Sequence, residues 1–368
     1  MQSQGKGRLL LCGVLLRVFL HCRAKQKQKG RGRCRQKIPS LFGLFAVPFR
    51  DSKALGSGTP KRKRAQTPLE AFHLHHLKVT DLSEQVWCEQ EMVYKRKHPD
   101  LWSPEKLELL NTGKSIHLAR ELEVHDLVPV HTTSREDFWA IKVLNLLLMI
   151  HDLQAGQPVR EFPVFGVLEG IFVLGVIDQL GYTAKGELEL SELKTRRKAS
   201  MPTAAQKKRD GFQVFLYKYL FDAMVQGCLT TEAFLQHLHL RPMQVLGPHV
   251  QEQVGNAGLT VHHFQDLLEL MSLRLTFSEI PAVERLQIEY VHQESNAPLG
   301  TELLSYNKDS VAATVQHLLA YWKGRRDAEG VDIEDAWKCH YCTYAGICDW
   351  RMNKIGRSPG KNWQKRSR

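Results

Sequence analysis

The sequence predicts an α/β or α+β domain in which helices flank a small mixed sheet, and three observations support this fold class. Two long stretches with helical periodicity, 103–125 and 134–154, come first. Three runs rich in Val, Ile, Leu and Phe follow at 158–166, 171–183 and 187–195, separated by glycine-containing turns. Another long helix is predicted over 204–226. Helices before and after a group of strands predict one sheet covered by helices.

Local signals define the element boundaries. Ser103 and Ser134 stand where helix N-caps are expected, with Pro104 at the first helical position and Asp137 three residues after Ser134. The turn at 184–187 predicts a hairpin between the second and third runs. Later segments predict helices at 260–275 and 309–326 and strands at 283–293 and 301–306.

Positive charge is concentrated at the N-terminus. The chain has a formal charge of +12, and residues 1–50 hold seven Arg, five Lys and no Asp or Glu. The remaining residues hold 39 basic and 39 acidic side chains, so their net charge is zero. This balance excludes a general attraction of the globular part to nucleic acid, and any nucleic-acid path there must be a local basic patch.

The composition divides the chain into three parts. Residues 1–67 are predicted to be a basic N-terminal segment and linker, 68–352 one globular domain, and 353–368 a basic tail. An apolar stretch near the start is interrupted by Arg17 and too short to span a membrane, so no membrane partner is expected. The acid-free start fits a mitochondrial presequence or a disordered tail equally well. The run Lys-Arg-Lys-Arg at 61–64 fits a nuclear localisation signal or a solvated charge run.

Acidic side chains and a lysine come together on two neighbouring predicted strands. Asp178 closes the run Gly-Val-Ile-Asp, and Glu192 and Lys194 follow on the next strand. Residues two apart on a strand share a face, and a hairpin would bring Asp178 to that face. Carboxylates suit Mg²⁺, and a lysine can stabilise charge that develops on a phosphodiester. The pattern alone is weak, because an exposed polar strand face has the same spacing.

Ordered motifs around these residues strengthen the interpretation. Gly113 and His117 are four residues apart on the first predicted helix, and Gln213 and Tyr217 are four apart on a later one. The order G-x3-H, G-h-h-D, E-h-K and Q-x3-Y over 105–225 resembles the RecB-like branch of the PD-(D/E)xK nuclease superfamily.

This resemblance implies a restriction-endonuclease-like core and a role for each motif residue. Asp178 and Glu192 would be Mg²⁺ ligands, Lys194 would be the catalytic lysine and His117 an accessory metal ligand. Mn²⁺ is the alternative cation.

Three cysteines near the C-terminus have the spacing C-x2-C-x5-C: Cys339, Cys342 and Cys348. Metal centres of this kind usually take four ligands, and Cys88 is the candidate for the fourth. The C-x2-C spacing without a clear secretory context favours metal binding over disulfides. Zinc and a [4Fe–4S] cluster both accept four thiolates, and His340 could replace one thiolate at zinc.

The iron–sulfur subset of RecB-like nucleases resembles this arrangement, with one cysteine before the nuclease motifs and three after them. The resemblance implies a 4Fe–4S cluster that acts as a structural staple between the N- and C-terminal parts of the domain. Its ligands would be Cys88, Cys339, Cys342 and Cys348. Cys228 stands alone after a predicted helix and is interpreted as a buried apolar residue.

Within that subset the sequence is most similar to the exonuclease V family. The resemblance rests on stretches such as "VTDLSEQVWCE", "LGVIDQL", "SELKTRR" and "WKCHYCTYAGICDWR". It implies a metal-dependent single-stranded DNA exonuclease that prefers 5′ ends and serves DNA repair and genome maintenance. The alternative is a non-catalytic single-stranded DNA-binding protein that keeps the nuclease fold. The protein is expected to be a monomer, with a single-strand-binding protein complex as a further partner.

The expected compartment is the nucleus or also the cytoplasm, with the mitochondrion as the alternative because of the basic N-terminus. Single-stranded DNA is expected to contact a basic patch and two residues of the last motif, and its bases could stack on Phe138 or Trp139. The predicted DNA-binding residues are Gln213, Tyr217, Arg196, Arg197, Lys198, Lys207, Lys208 and Arg209.

Overall fold

The computed structural model describes residues 7–12, 66–101 and 104–356. The strands within these ranges are β1 (Gly7–Cys12), β2 (Leu77–Lys78), β3 (His125–Val130), β4 (Val159–Leu168), β5 (Ile171–Tyr182), β6 (Leu188–Arg196), β7 (Arg285–His292) and β8 (Pro298–Leu303). The α-helices are α1 (Pro68–Ala71), α2 (Val79–Trp87), α3 (Glu89–Lys97), α4 (Pro104–Val124), α5 (Arg135–Gln154), α6 (Ala204–Val225), α7 (Thr231–Leu238), α8 (Pro248–Asn256), α9 (Phe264–Thr276), α10 (Lys308–Trp322) and α11 (Asp349–Gly356).

Six strands form one mixed sheet, which confirms the predicted architecture. β4, β5 and β6 pair in antiparallel order, and the hairpin predicted at 184–187 joins β5 to β6. β6 pairs in parallel with β7, and β8 returns antiparallel to β7. A parallel pair needs a long crossover, and helices α6 to α9 supply it between β6 and β7. The short strand β2 pairs in parallel with β5.

Apolar side chains join the helices to the sheet. Helix α6 contacts β4, β5, β6 and β7, and helix α5 contacts β4 and α9. Phe162, Phe172, Phe221 and Phe234 are fully buried in this core. Burial of each such side chain stabilises the fold by about 1.5–3 kcal/mol. Because α6 packs across four strands, the polar side chains on its buried face have fixed positions next to the end of β6.

Capping residues define where the predicted helices begin. Ser134 accepts a hydrogen bond from the backbone of Asp137, and the Asp137 side chain accepts one in return, which completes the predicted capping box. Helix α4 begins at Pro104, while the predicted cap Ser103 lies outside the described residues. The predicted strand at 301–306 is shifted to Pro298–Leu303. The sequence analysis did not predict α7, α8 or β3.

Part of the N-terminal segment pairs with the domain. β1 runs parallel to β3, with Gly7 opposite His125 and Cys12 opposite Val130. The sequence analysis assigned residues 1–67 to a segment outside the domain and did not predict this strand. Residues 13–65 lie outside the described part of the chain. Helix α11 ends at Gly356, four residues beyond the predicted end of the domain at 352. No helix in the described ranges is both long and apolar enough to cross a membrane.

Candidate active site and cysteine centre

β5 and β6 separate at the predicted catalytic residues. Their ladder ends at Gln179 opposite Ser191. Beyond the ladder, the Asp178 side chain replaces a backbone acceptor: its Oδ2 atom accepts a 2.8 Å hydrogen bond from the backbone N–H of Leu193. β2 occupies the same edge of β5 further back, at 173–174. The two strands therefore form a fork with Asp178 at its branch point.

Glu192 and Lys194 share one face of β6 and are joined by hydrogen bonds. Lys194 Nζ donates to Glu192 Oε1 and to Gln213 Oε1, both at 2.8 Å. Gln213 Nε2 donates to Glu192 Oε1 at 2.9 Å and to Tyr217 Oη at 2.8 Å. Glu192 Oε2 is buried and accepts no hydrogen bond within the described structure. A buried oxygen without a partner costs free energy, so a cation or a ligand fits this position.

Helix α4 brings His117 to the branch point of the fork. His117 Nδ1 lies 3.4 Å from Asp178 Oδ1. Gly113 allows the helix to approach β6, because a Cβ atom at this position would lie 3.0 Å from Thr195 Oγ1. The glycine and the histidine of the G-x3-H motif thus have separate tasks: one permits close packing and the other faces the site.

Two further contacts fix helix α4 to the sheet. Arg120 forms a bidentate ion pair with Glu289 of β7, with N–O distances of 2.6 and 3.0 Å. Gln293 Nε2 donates to the backbone oxygen of Leu109 at 3.2 Å and to Thr195 Oγ1 at 3.1 Å. The helix that carries His117 is therefore tied to the end of β7, and Gln293 links it there to β6, the strand that carries Glu192 and Lys194.

Glu161 of β4 also belongs to this site, and the sequence analysis missed it. One ligand atom each of His117, Glu161 and Asp178 lie within 4.8 Å of one another, and such a group can hold a metal ion. Glu161 has a φ of 56°, which is uncommon for a residue other than glycine. The signal that could have identified it was an acidic residue, next to Arg160, in a strand that is otherwise apolar.

Burial and neighbouring charges set the pKa values of these groups. Burial would raise the pKa of Asp178, but the hydrogen bond and charge of His117 and the charge of Lys194 hold it below its ordinary value. Burial and the charge of Asp178 raise the pKa of Glu192, and the same two causes raise that of Glu161 to about 8. Burial raises the pKa of Glu121, one turn from His117, to about 7. Buried carboxylates this close together repel one another when ionised, and a bound divalent cation would offset this repulsion.

The glycine of the G-h-h-D motif has a packing role. A Cβ atom at Gly175 would lie 2.6 Å from Cε1 of Tyr217. Tyr217 is 4% exposed and Gln213 is 7% exposed. Gln213 is hydrogen-bonded to Glu192, Lys194 and Tyr217, and the role in positioning DNA that the resemblance implies for Gln213 and Tyr217 stays a prediction.

The four predicted cysteine ligands line one small cavity. Cys88 caps the N-terminus of α3, and the other three follow α10 near the end of the described chain. Cys88 and Cys339 are 251 positions apart in sequence. His340 is exposed and is not among the residues that line the cavity. The fold thus brings Cys88, rather than His340, to the C-terminal three.

Three thiols of this cysteine centre have raised pKa values. Burial raises the pKa of Cys88 to about 12 and that of Cys342 to about 11, and it raises that of Cys339 as well. The charges of neighbouring cysteines act in the same direction. Binding of a metal centre here would therefore displace protons, since thiolates are the ligands.

A buried ion pair holds the same two chain segments together beside the cysteines. Glu89, directly after Cys88, accepts a 2.6 Å hydrogen bond from Arg326 Nη1 and a second bond from Nη2. Its Oε2 atom also accepts the backbone N–H of Glu329 at 2.9 Å. The cysteine centre is thus part of a larger contact between the start and the end of the domain.

Comparison with known proteins identifies the family. A family model described as "Exonuclease V - a 5' deoxyribonuclease" matches residues 67–192, 183–268 and 257–351. This chain belongs to the exonuclease V family. A curated zebrafish (Danio rerio) protein named Exonuclease V is 47% identical over 290 residues, which are 78% of this chain and 74% of that protein. The predicted similarity to the exonuclease V family is confirmed, and membership makes this chain a DNA exonuclease.

Among solved structures, the crystal structure of SSO0001 matches 75% of this chain and 87% of its own. The TM-score is 0.37 and the sequence identity 13%.

The basic residues predicted to contact DNA fall into two groups in this exonuclease V chain. Three are tied to other residues by hydrogen bonds or ion pairs: Arg196, Lys207 and Arg209. The other three are exposed and form no ion pair with any described residue: Lys198, Lys208 and Arg197. Of these six basic residues, the three in the second group have side chains that are available to contact phosphates.

Two predictions about single residues are wrong. Trp139, proposed to stack on bases, is 4% exposed and packs edge-to-face against Phe165, Phe172 and Phe234. Cys228, interpreted as buried, is exposed. It follows Gly227, whose φ of 71° turns the chain out of helix α6. In both cases the position in the three-dimensional fold, rather than the residue type, decided the exposure.

Proposed function

We propose that this chain is a metal-dependent exonuclease of single-stranded DNA that prefers 5′ ends and serves DNA repair. The observation that carries the proposal is the fork between β5 and β6, which brings Asp178, Glu192 and Lys194 together beside His117. This is the constellation expected of a PD-(D/E)xK core. A pseudo-nuclease would have no need for all of these groups in hydrogen-bonding distance of one another.

The donor set fits Mg²⁺ or Mn²⁺. Asp178 and Glu192 would hold the cation, with His117 as an accessory ligand, because Glu192 Oε2 is buried without a partner and Asp178 Oδ1 lies next to His117. A bound divalent cation would neutralise charge on the phosphodiester and activate water for hydrolysis.

The residues around the cation would orient the substrate. Lys194 uses two of its three ammonium protons on Glu192 and Gln213, and the third can reach a phosphate oxygen or the attacking water. Gln213 and Tyr217 keep this geometry fixed from the buried face of α6. Preorganised groups of this kind act without rearranging when charge develops.

The depth of the site supports a single-stranded substrate. Only about 3% of the Glu192 side chain and 15% of the Asp178 side chain are accessible. Helix α4 also lies across the end of β6. A single strand can enter such a recess more easily than a duplex. The exposed side chains of Arg197, Lys198 and Lys208 would supply affinity that does not depend on sequence.

A 4Fe–4S cluster is the metal centre that the four cysteines fit best. Four sulfurs bound to one tetrahedral zinc ion lie about 3.8 Å apart, given Zn–S bonds of about 2.3 Å. In the described structure, no three of the four cysteine sulfurs lie within 4.8 Å of one another. A cluster binds each thiolate at a separate iron and suits the wider spacing.

Digestion of end-labelled oligonucleotides tests the proposal. With Mg²⁺, a 5′ label on a single strand should appear first in short products, while a 3′ label stays in long fragments, and EDTA should stop both. The Lys194→Ala variant should bind the strand without cutting it. Equal digestion of a duplex would contradict the single-strand preference, and early release of the 3′ label would contradict the polarity.

A further inference from the structure

The Arg160 guanidinium on β4 has no partner among the described residues. Arg160 is half-buried, and its Nε atom is buried and makes no hydrogen bond in the described structure. No described carboxylate forms an ion pair with it, in contrast to Arg120 on α4, which binds Glu289 through two hydrogen bonds. Burying a charged group without a partner costs free energy, so an anion fits this position.

Strand pairing places Arg160 next to the branch point of the fork. Arg160 is paired with Gln179, the residue that directly follows Asp178. Paired residues on antiparallel strands have Cα atoms about 4.5–5.5 Å apart. The backbone N–H of Arg160 also donates to Nε2 of His125 at 3.2 Å, and His125 is buried. The backbone of Arg160 is therefore held in place beside the proposed cation site.

The charges that act on Arg160 locate its guanidinium. Burial and the charge of Arg120 hold the pKa of Arg160 below its ordinary value, while the charges of Glu123, Asp178 and Glu289 act in the opposite direction. Arg120 and Glu123 belong to α4, and Arg120 binds Glu289 of β7. The guanidinium therefore lies on the side of the sheet that α4 covers, close enough to Asp178 for the two charges to interact.

The carboxylates around Arg160 have other contacts. Asp178 is bound by a backbone N–H of β6, and Glu289 by the guanidinium of α4. Glu161, next to Arg160 in sequence, has an oxygen within 4.8 Å of ligand atoms of His117 and Asp178. The anion that this exonuclease must bring to the fork is a phosphate of DNA. A planar guanidinium can donate two parallel hydrogen bonds to two phosphate oxygens.

We infer that Arg160 binds a phosphate group of the substrate strand next to the phosphodiester that is cleaved, and thereby positions the strand at the fork. The inference rests on the proposed active site and adds a substrate contact to it. Arg160 differs from the exposed residues Arg197, Lys198 and Lys208, because salt screens a partly buried charge less than an exposed one. Arg160 would thus fix where the strand lies, while the exposed residues would add a general attraction.

The salt dependence of strand binding tests the inference. Each phosphate contact on a single strand adds about 0.7 to the slope of log Kd against log salt concentration. Binding of a fluorescent oligothymidine is measured with Mg²⁺ on full-length Lys194→Ala chains, which are expected not to cut it. Arg160→Gln in these chains should lower the slope by about 0.7 and weaken binding about tenfold. Arg160→Lys keeps the charge and should keep the slope, although it loses the two parallel hydrogen bonds.

Arg274→Gln is the matched control for this loss of charge. Arg274 is exposed on α9 and forms no ion pair with a described residue. The control should keep the slope and the affinity of the parent chain. An unchanged slope in Arg160→Gln would overturn the inference, and so would an equal drop in Arg274→Gln or a slope that Arg160→Lys fails to restore.

Melting without DNA separates this contact from a role in folding. Arg160→Gln should melt at or above the wild-type temperature, because it removes a partly buried charge that has no partner. A lower melting temperature with an unchanged slope would assign Arg160 to the fold and overturn the inference.

Strands with a 5′ phosphate or a 5′ hydroxyl identify which phosphate Arg160 binds. A loss of affinity confined to 5′-phosphate strands would assign the contact to the terminal group, and an equal loss on both would assign it to an internal phosphodiester. The slopes need no cleavage. Chains that show the expected slopes without digesting DNA would therefore lose the proposed function and keep this contact, whereas chains that digest single strands with unchanged slopes would lose only the contact.

Discussion

The proposed active-site residues lie within about 100 positions, from His117 to Tyr217, whereas the four cysteines extend from Cys88 to Cys348. The active-site groups already bind one another: Lys194, Glu192 and Gln213 are joined by hydrogen bonds of 2.8–2.9 Å. The cysteines instead share a cavity, and burial raises the thiol pKa of Cys88, Cys339 and Cys342. One site is organised by protein contacts, and the other would need the proposed metal centre to become a cross-link.

This difference separates function from stability. Removal of an active-site carboxylate would take away a proposed metal ligand and also relieve repulsion among acidic groups. Removal of one cysteine would take away a proposed link between the two ends of the domain, because the closed loop spans about 250 residues. The active site should therefore tolerate substitutions that abolish activity, while the cysteine centre should lose stability and activity together.

The largest expected effect is on catalysis by Asp178→Ala. The variant should lose at least about 100-fold in the cleavage rate, because it removes a metal ligand and a preorganised charge. Its free energy of unfolding should stay within about 1 kcal/mol of the wild type. The reason is that repulsion with Glu192 and Glu161 is relieved while the hydrogen bond to Leu193 is lost.

Cleavage assays on single strands and urea unfolding measure the two effects of Asp178→Ala separately. Glu192→Ala and Lys194→Ala should behave in the same way. An unstable but active variant at any of these three positions would reverse the proposed contrast between the two sites.

The next effect in size is on stability, in Cys88→Ala. The loop-closure entropy that applies to disulfides gives an upper value for this cross-link. A loop of about 250 residues would contribute about 5 kcal/mol to the free energy of unfolding. The melting temperature should fall by roughly 10 °C, since about 2 °C corresponds to 1 kcal/mol in a domain of this size. The iron content should fall from about four per chain, and the brown colour of the cluster should fade with it.

Cys228→Ser is the control for Cys88→Ala, because Cys228 is exposed and distant in sequence from the quartet. It should keep the iron content and the melting temperature of the wild type. A full iron content in Cys88→Ala would mean that the fourth ligand lies elsewhere, and zinc in place of iron in the wild type would contradict the cluster.

Motif order predicted much of the proposed active site because the residues within each motif keep a short, fixed spacing. The turn at 184–187 is a signal of the same short range, and it predicted the hairpin between β5 and β6. Such signals can be recognised in a sequence. The structure adds the reason for the two motif glycines, since Gly175 packs against Tyr217 and Gly113 against Thr195, which are distant in sequence.

Residues whose role depends on tertiary contacts were missed or misassigned. Glu161 lies in an apolar strand, and its positive φ has no sequence signature. Trp139 sits next to Phe138 on one helix, and only the packing of α5 against β4 decides that Trp139 is the buried one. The spacing of the Q-x3-Y motif likewise does not reveal that the Gln213 amide is bound to Glu192, and its contact with DNA stays a prediction.

The smallest expected effect concerns the tie between helix α4 and the sheet, which links the active site to general stability. The hydrogen bonds of Arg120 outweigh burial and lower the pKa of Glu289 below its ordinary value. Because the folded-state pKa is the lower one, the ion pair adds stability above the unfolded pKa of about 4.3. This stability is lost as the pH falls through the folded-state pKa.

Glu289→Gln should thus be less stable than the wild type at pH 7 by under about 1 kcal/mol, since the Glu289 side chain is 33% exposed. The difference should vanish near pH 3 in urea unfolding, and cleavage should slow only a few-fold, because α4 keeps its contact at Gln293. Glu294→Gln, on the exposed turn after β7, should match the wild type at both pH values. A stability difference that persists or grows at pH 3 would show that Glu289 acts through packing rather than through its charge.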